Sequence, residues 1–257
     1  MAPQDSGNGA GELMKLRFLL WLALLLSGQY IQGGYNFGAI TNPIKQNAAT
    51  CGYISGGSTT VTCTLGASVT ATDGLFVFEV TNGSPSTPVM TGETFNTFTG
   101  TPGCQDFTGD FGQCYLVNSA VGGQTNVTCG TTASSVSLLC IVVEIKRPSQ
   151  LSTPKDAGGH TQNAGATSFS VSTSAVTTVS NDVVLSCWGS FGAAQSNPFV
   201  AAGSFTQVPN ANVNLGVGNN GQAMCEYLQA NSTGTQTGQA TLGSSARATG
   251  IILAVKP

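Results

Sequence analysis

Alternating apolar and polar side chains are the main signal in the chain after its N-terminal segment. In the run LFVFEV, Phe76, Phe78 and Val80 share one face of a strand, because successive side chains of a strand point to opposite faces. Similar runs are separated by turns rich in glycine, asparagine, serine and proline. The pattern predicts strands at Thr59–Leu65, Leu75–Asn82, Cys114–Val121, Val136–Lys146, Val183–Ser190, Ala223–Leu228 and Ile251–Lys256. It predicts no helix after the N-terminal segment, and many short strands favour an all-β sandwich of jelly-roll type.

Two stretches of this pattern resemble each other. TATDGLFVFEV (Thr70–Val80) and VSNDVVLSCWG (Val179–Gly189) each place an aspartate in a turn before an apolar strand. We expect Asp73 and Asp182 to cap these turns by hydrogen bonds from side chain to backbone.

The segment between the two stretches, RPSQLSTPKDAGGHTQNAGATS (Arg147–Ser168), predicts a long loop. The folded part is therefore expected to span residues 34–257. It forms either one sandwich with a long crossover or two related halves, 34–148 and 165–257.

The N-terminus has the features of a secretory signal. A short basic region, Met14–Arg17, precedes the apolar run FLLWLALLL (Phe18–Leu26), which is too short to span a membrane easily. Small residues follow at Ser27-Gly28 and at Gly33-Gly34, where cleavage is expected. Residues 1–33 are thus predicted to be a tail and a signal peptide, and the mature chain to be secreted, extracellular or at the cell surface.

Eight cysteines support export, because an even number in an exported chain is typical of disulfides. Three pairs are close in sequence and bracket turns, which brings their Cβ atoms within disulfide reach in a hairpin. The predicted disulfides are Cys51–Cys63, Cys104–Cys114, Cys129–Cys140 and, over a longer loop, Cys187–Cys225. There is no CxxC motif, so the spacing does not indicate a zinc site.

Charged side chains are scarce. Asp, Glu, Lys and Arg make up 7% of the chain and the formal net charge is −3, so no basic stripe is present to neutralise phosphates. Nucleic acid is therefore excluded as a partner. A polar but weakly charged surface opposes lateral packing little. The expected partners are further copies of the chain or extracellular glycans, with membrane contact only through the signal segment.

Several motifs resemble a group of exported bacterial β-sandwich proteins of jelly-roll or adhesin-like type. They are DGLFVFEV, GETFNTFTG, CYLVNSAVGGQTNVTC and LLCIVVEIKRP, followed by NDVVLSCWG, AAGSFTQV, CEYLQA and GQATLGSSARATGIILAVKP. The resemblance covers roughly residues 55–257 and consists of turns and strand starts. It implies the fold and export, and it transfers no catalytic residue.

Few residues favour catalysis. The one histidine, His160, lies in a glycine-rich stretch, and no GxSxG motif is present for a serine hydrolase. A glycosidase or polysaccharide lyase could use two of the strand glutamates, Glu79, Glu144 and Glu226. The alternative is that these glutamates point outward and discourage pairing at sheet edges. We expect a protein that is not an enzyme.

The loop CQDFTGDFGQC allows a calcium site. Asp106 and Asp110 could provide oxygen ligands together with turn carbonyls. The alternative is a surface hairpin in which each aspartate binds nearby backbone N–H groups. No other cofactor is predicted.

Three aromatic residues are candidates for stacking on sugar rings: Trp188, Tyr115 and Tyr227. Trp188 shares a strand face with Ser186 and Ser190, so that face could be partly solvated. The alternative is that Trp188 packs in the core against a disulfide, as in immunoglobulin sandwiches.

The segment YNFGAITNPIKQN, with Tyr35, Phe37 and Ile40, could add as a strand to the sheet edge of a neighbouring copy. Together, these features favour a non-enzymatic secreted structural or adhesion protein, such as a surface, matrix or filament subunit. The alternatives are an extracellular carbohydrate-binding module and a glycosidase or polysaccharide lyase.

Overall fold

The residues described by the computed structural model form an all-β protein, with 71% strand and no helix among them. The structure describes residues 42–47, 51–53, 59–81, 83, 85–97, 104–105, 111–132, 137–146, 155–173, 181–191, 199–214 and 221–256. These residues belong to one compact unit, Ala39–Pro257. The predicted signal segment lies outside the described residues. In the described ranges no helix is long and apolar enough to cross a membrane.

The strands are numbered in chain order. They are β1 Ile44–Asn47, β2 Cys51–Tyr53, β3 Thr60–Thr64, β4 Gly74–Thr81, β5 Pro85–Val89, β6 Asn96–Thr97, β7 Cys104–Gln105, β8 Phe111–Val117, β9 Asn126–Thr131, β10 Leu138–Ile145, β11 Lys155–Ser172, β12 Val183–Phe191, β13 Val200–Ala202, β14 Thr206–Asn214, β15 Gly221–Gln229 and β16 Thr237–Val255.

The same strand order occurs in two sheets. The first sheet has the order β1-β10-β4-β8-β6, and the second has the order β11-β16-β12-β15-β14. All pairs in both sheets are antiparallel. Substituting β11 for β1, β16 for β10, β12 for β4, β15 for β8 and β14 for β6 converts one order into the other. The chain therefore builds one topology twice.

The outer strands follow the same repeat. In the first half, β3, β9 and β5 form a separate three-stranded sheet. In the second half the long strands β11 and β16 belong both to the second sheet and to the layer outside it. Their far ends pair with each other at Ser168↔Thr241, and the far end of β16 also pairs with β13 at Val200↔Thr241. The C-terminal part of β16 pairs with β12.

Matching turns precede the two central strands β4 and β12. Thr72 and Asn181 both have positive φ, 76° and 83°. Thr72 N donates to Ala120 O (2.8 Å), and Asn181 N donates to Ala230 O (2.6 Å). The alanine N–H groups in turn donate to the carbonyls of the two aspartates that follow these residues, at 2.8 and 2.9 Å. Each turn thus locks its central strand to the loop after the neighbouring strand.

The two larger sheets pack face to face. Phe76, Phe78 and Val80 of β4 lie in the same core cluster as Leu185 and Cys187 of β12. This confirms the predicted strand face. The opposite face of each sheet is also covered: Leu75 and Val77 pack with the three-stranded sheet, and Val184 and Trp188 pack under the far ends of β11 and β16. Because both faces are covered, β4, β10 and β12 are buried along their whole length.

Close approach of the two sheets requires glycine on β12. A Cβ at Gly189 would lie 2.2 Å from Val80 Cγ2 on β4. No methyl group fits there without moving one sheet, so this position sets the spacing between the sheets.

The predicted loop at Arg147–Ser168 is wrong from Lys155 onward, where β11 begins. Its small polar side chains suit a strand at the edge of a sheet, paired only with β16 among the described strands. The predicted strand Cys114–Val121 is shifted, since β8 ends at Val117. The predicted assembly segment is partly corrected as well, because its end, Ile44–Asn47, is β1 of the chain's own first sheet.

Three of the predicted disulfides are confirmed: Cys51–Cys63, Cys129–Cys140 and Cys187–Cys225. The last joins two residues directly opposite each other on β12 and β15. The fourth pair involves the side chain of Cys104, which lies outside the described residues; the backbone of β7 pairs with β8 at Cys104↔Gly112.

Candidate functional site

The proposed aromatic binding face is absent at its two main residues. Trp188 is 0% exposed and Tyr115 is 2% exposed. Of the two interpretations of Trp188, the partly solvated face is therefore wrong and the position in the core is confirmed. Trp188 packs in the core against Phe169, with ring centroids 6.0 Å apart, because the far ends of β11 and β16 cover that face of the second sheet. Tyr227 is partly buried and packs against the core between the two sheets.

The strand glutamates do not point outward. Glu79, Glu144 and Glu226 are each 0% exposed, so the idea that they protect sheet edges is wrong. The physical reason is the layering: a polar position on a strand faces solvent only where no second layer covers it, and here a second layer covers both faces. Each carboxyl instead has hydrogen-bond partners inside the protein.

Glu79 joins the first sheet to the outer sheet. Its Oε1 accepts a hydrogen bond from Gly130 N on β9 (3.2 Å), and the hydroxyl of Tyr115 is a second partner. Burial raises the pKa of Glu79 well above its usual range, and the two hydrogen bonds only partly oppose this. The pKa of Tyr115 is raised as well, first by burial and then by the Glu79 charge. Burial therefore favours the neutral form of both groups.

Glu226 joins two layers of the second half in the same way. Its Oε1 accepts from Gln239 N (2.9 Å) on the outer part of β16. The indole of Trp188, the hydroxyl of Ser186 and the backbone of Ala202 also adjoin the carboxyl and favour its charged form. Burial outweighs them and raises the pKa of Glu226 to about 7.

The two acid–aromatic pairs occupy equivalent places with the residues exchanged. Tyr115 on β8 lies opposite Val77 of β4, two residues before Glu79. Glu226 on β15 lies opposite Ser186 of β12, two residues before Trp188. The acid is on the central strand in the first half and on its neighbour in the second. Sequence reasoning flagged all four residues but missed the pairing, because the repeat alignment that reveals it needs the strand registers.

Glu144 anchors the beginning of the first half. Its Oε1 accepts from Thr70 N (2.8 Å) and lies 3.5 Å from Lys45 Nζ, and its Oε2 accepts from Gln46 Nε2. Lys45 also pairs with Asp73 at 3.3 Å. The charge of Glu144 is thus compensated within the fold, which ties β1 to the turn before β4.

Glu93 closes the hairpin at Val121-Gly122. Its two carboxylate oxygens accept from Val121 N and Gly122 N, each at 2.9 Å. Gly122 has φ +85°, and a Cβ there would lie 2.6 Å from Ala71 N. The first glycine of the GG pair in this hairpin, which carried part of the sequence resemblance, therefore has a steric cause.

We expect Gly122→Ala to lower the free energy of unfolding by about 1–3 kcal/mol, since it adds a backbone clash to a strained φ. Gly123→Ala is the matched control, because Gly123 also has positive φ (+90°) but nothing lies within 4 Å of its Cβ position. Urea unfolding followed by circular dichroism measures both. Equal losses in the two variants would show that the clash at Ala71 has no cost.

Four buried cysteines meet at the contact between the first sheet and the outer sheet. The Sγ atoms of Cys63, Cys129 and Cys140 all lie within 4.8 Å of one another, and Cys51 is bonded to Cys63. Among the described residues, the sulfurs of Cys63, Cys129 and Cys140 form the one group in which ligand atoms for a metal ion converge.

Other predicted site residues lie outside the described residues. These are the calcium candidates Asp106 and Asp110 and the assembly residues Tyr35, Phe37 and Ile40. The side chain of His160 is exposed on the edge strand β11.

The described carboxyls are therefore used to join layers of the fold. Glu79, Glu144 and Glu226 are buried and hydrogen-bonded, and Glu93 holds a hairpin. This arrangement provides stability and a fixed relation between sheets. No family model, characterised protein or solved structure matches the chain.

Proposed function

We propose that the chain is a non-enzymatic structural or adhesion protein, exported and acting outside the cell as a subunit of a surface, matrix or filament. The observation that carries the proposal is the internal use of its chemistry-bearing side chains. Trp188, Tyr115, Glu79 and Glu226, the residues best suited to bind or cleave a sugar, are buried and join one layer to the next. What the fold offers to the outside is a rigid, weakly charged surface.

Export is supported by the disulfides, which persist in oxidising compartments. The basic and apolar N-terminal segment would direct that export as a cleaved signal peptide. In this proposal the two face-to-face sheets are a variant of the jelly-roll sandwich, and the three disulfides preserve it where chaperones are absent.

The edge strand β11 favours association between copies. From Gly158 to Ser172 it contains no Asp, Glu, Lys or Arg. Thr167, Ser168 and Ser170 on it are exposed. Natural edge strands commonly carry charges that discourage pairing with another chain. A long edge without them suits pairing with a second copy of the chain.

The test is the size of the oxidised, signal-free chain by light scattering, followed by negative-stain imaging. We expect regular oligomers or polymers. Thr167→Lys with Ser170→Lys should reduce them strongly, because the added charges repel at the paired edge. Ser68→Lys, on an exposed loop, is the matched control and should leave the assembly unchanged.

A monomer at all concentrations would contradict the subunit proposal. If that monomer were retained by polysaccharide columns, carbohydrate binding would replace it, at a surface other than the buried Trp188. Cleavage of a polysaccharide would point instead to a glycosidase or lyase, whose acid would lie outside the three buried glutamates Glu79, Glu144 and Glu226.

A further inference from the structure

The four clustered cysteines come from four strands and two layers. Cys51 on β2 and Cys140 on β10 belong to the first sheet and face each other in register. Cys63 on β3 and Cys129 on β9 belong to the outer sheet. All four are at most 3% exposed. The two disulfides Cys51–Cys63 and Cys129–Cys140 therefore both cross between the same two layers, side by side.

The second half shows that the fold does not need cysteines here. Cys140 lies opposite Glu79 on β4, and Gly250 lies opposite Trp188 on β12, so Gly250 is the equivalent residue. Thr161, which faces Gly250 on β11, then corresponds to Cys51. The same topology thus forms with a glycine and a threonine at these two places.

The outer pair has the same relation. Leu65 N donates to Thr125 O in the first half, and Thr173 N donates to Gln236 O in the second. Counting from these matching bonds, Cys63 corresponds to Val171 and Cys129 corresponds to Ala240. Both are ordinary core residues. Four thiols at one layer contact are thus a property of the first half alone, beyond what its architecture requires.

We propose that Cys51, Cys63, Cys129 and Cys140 form a tetrathiolate site for zinc, or for another soft divalent cation, when the two disulfides are reduced. Four cysteine ligands in a tetrahedron are a common structural zinc site. Zinc–sulfur bonds of about 2.3 Å place the sulfurs roughly 3.8 Å apart. Three of these sulfurs already lie within 4.8 Å of one another, and the fourth, that of Cys51, is bonded to Cys63, so the four sulfurs are gathered at one layer contact.

Reduction of the two disulfides is balanced in electrons and protons when a dithiol is the reductant. Each disulfide accepts two electrons and two protons from one dithiol, which is oxidised to its own disulfide. The divalent cation then displaces the four thiol protons to solvent and forms four metal–sulfur bonds. Metal and disulfides are thus alternative links between the same two layers, chosen by the redox state of the surroundings.

The test uses the full signal-free chain, reduced with dithiothreitol, freed of reductant without oxygen, and titrated with Co²⁺ and then Zn²⁺. We expect about one ion per chain, a strong thiolate-to-cobalt absorption band, and displacement of cobalt by zinc. Alkylation with mass spectrometry should then show Cys51, Cys63, Cys129 and Cys140 protected by zinc. The oxidised chain should bind no ion.

Two variants make the result specific. Cys63→Ser should abolish the cobalt band, whereas Cys187→Ser with Cys225→Ser should retain it. Circular dichroism of each reduced variant, with and without zinc, reports folding. The proposal is overturned if the reduced chain binds no metal, if it unfolds and zinc fails to refold it, or if alkylation shows protection at other cysteines.

Discussion

Trp188→Ala is expected to lower the free energy of unfolding by about 3–5 kcal/mol, the range for removing a large buried aromatic side chain. Trp188 is 0% exposed and packs against Phe169. The fold also makes room for its ring at Gly250, where a Cβ would lie 2.4 Å from Trp188 Cζ3. The cavity left by alanine would therefore lie between the second sheet and the far ends of β11 and β16. Because these two long strands run through both layers, the cavity could not easily collapse.

Urea unfolding followed by circular dichroism measures this loss. Val200→Ala is the matched control, because Val200 is 54% exposed, and it should change stability by at most about 0.5 kcal/mol. Trp188 is also the one tryptophan beyond the predicted signal segment, so its fluorescence in the signal-free chain should be that of a dry core. An unchanged unfolding midpoint in Trp188→Ala, or water-exposed emission in the native protein, would contradict the burial.

Glu226→Gln is expected to change the pH dependence of stability. The folded pKa of Glu226 is about 7, above the usual value of 4.5. From about pH 4.5 to 7 the unfolded chain ionises this group while the folded protein keeps it protonated. Its contribution therefore favours folding below pH 4.5 and is lost as pH rises to about 7. At about 1.4 kcal/mol per pKa unit, the loss is roughly 3 kcal/mol.

Glutamine keeps a neutral hydrogen-bonding group at the site and cannot ionise. Relative to wild type, Glu226→Gln should therefore gain about 3 kcal/mol between pH 4 and pH 8, as measured by urea unfolding across that range. Glu79→Gln should shift in the same direction, because burial also raises the pKa of Glu79. A stability difference that stays constant with pH for both variants would show that these carboxyls ionise in the folded protein as they do in water.

The sequence pattern predicts the central strands well and the long edge strand poorly. β4, β10 and β12 carry dense runs of large apolar side chains, because both of their faces are covered. The sequence predicts a loop at the start of β11 because most side chains there are small and polar. A strand at the edge of a sheet can carry such side chains. Cysteine spacing identified Cys51–Cys63 and Cys129–Cys140, and Cys187–Cys225 followed as the remaining pair over a longer loop. The two close pairs join the first sheet to the outer sheet, where the sequence predicted cross-strand pairs within a hairpin.

Burial of the site residues could not be read from local sequence. Glu79, Glu226 and Trp188 look like members of half-exposed strands when each strand is taken alone. They are buried by strands distant in sequence: Glu79 bonds to Gly130, and Trp188 lies under Phe169. Which residues form a second layer depends on how the strands associate, and single-strand periodicity carries no information on that.

The exchange of acid and aromatic residue between the halves also bears on how the chain avoids misassembly while it folds. Proteins built from repeats are prone to insert a strand of one repeat into the other. If β4 took the place of β12 in the second sheet, Glu79 would occupy the place of Trp188, beside Glu226. Two carboxyls would then share one buried site in the second half. In the first half, the displaced Trp188 would lie beside Tyr115, and no carboxyl of this pair would join the first sheet to the outer sheet. The penalty for burying such a pair of carboxyls opposes the swap, so each central strand is directed to its own sheet although the two topologies are the same.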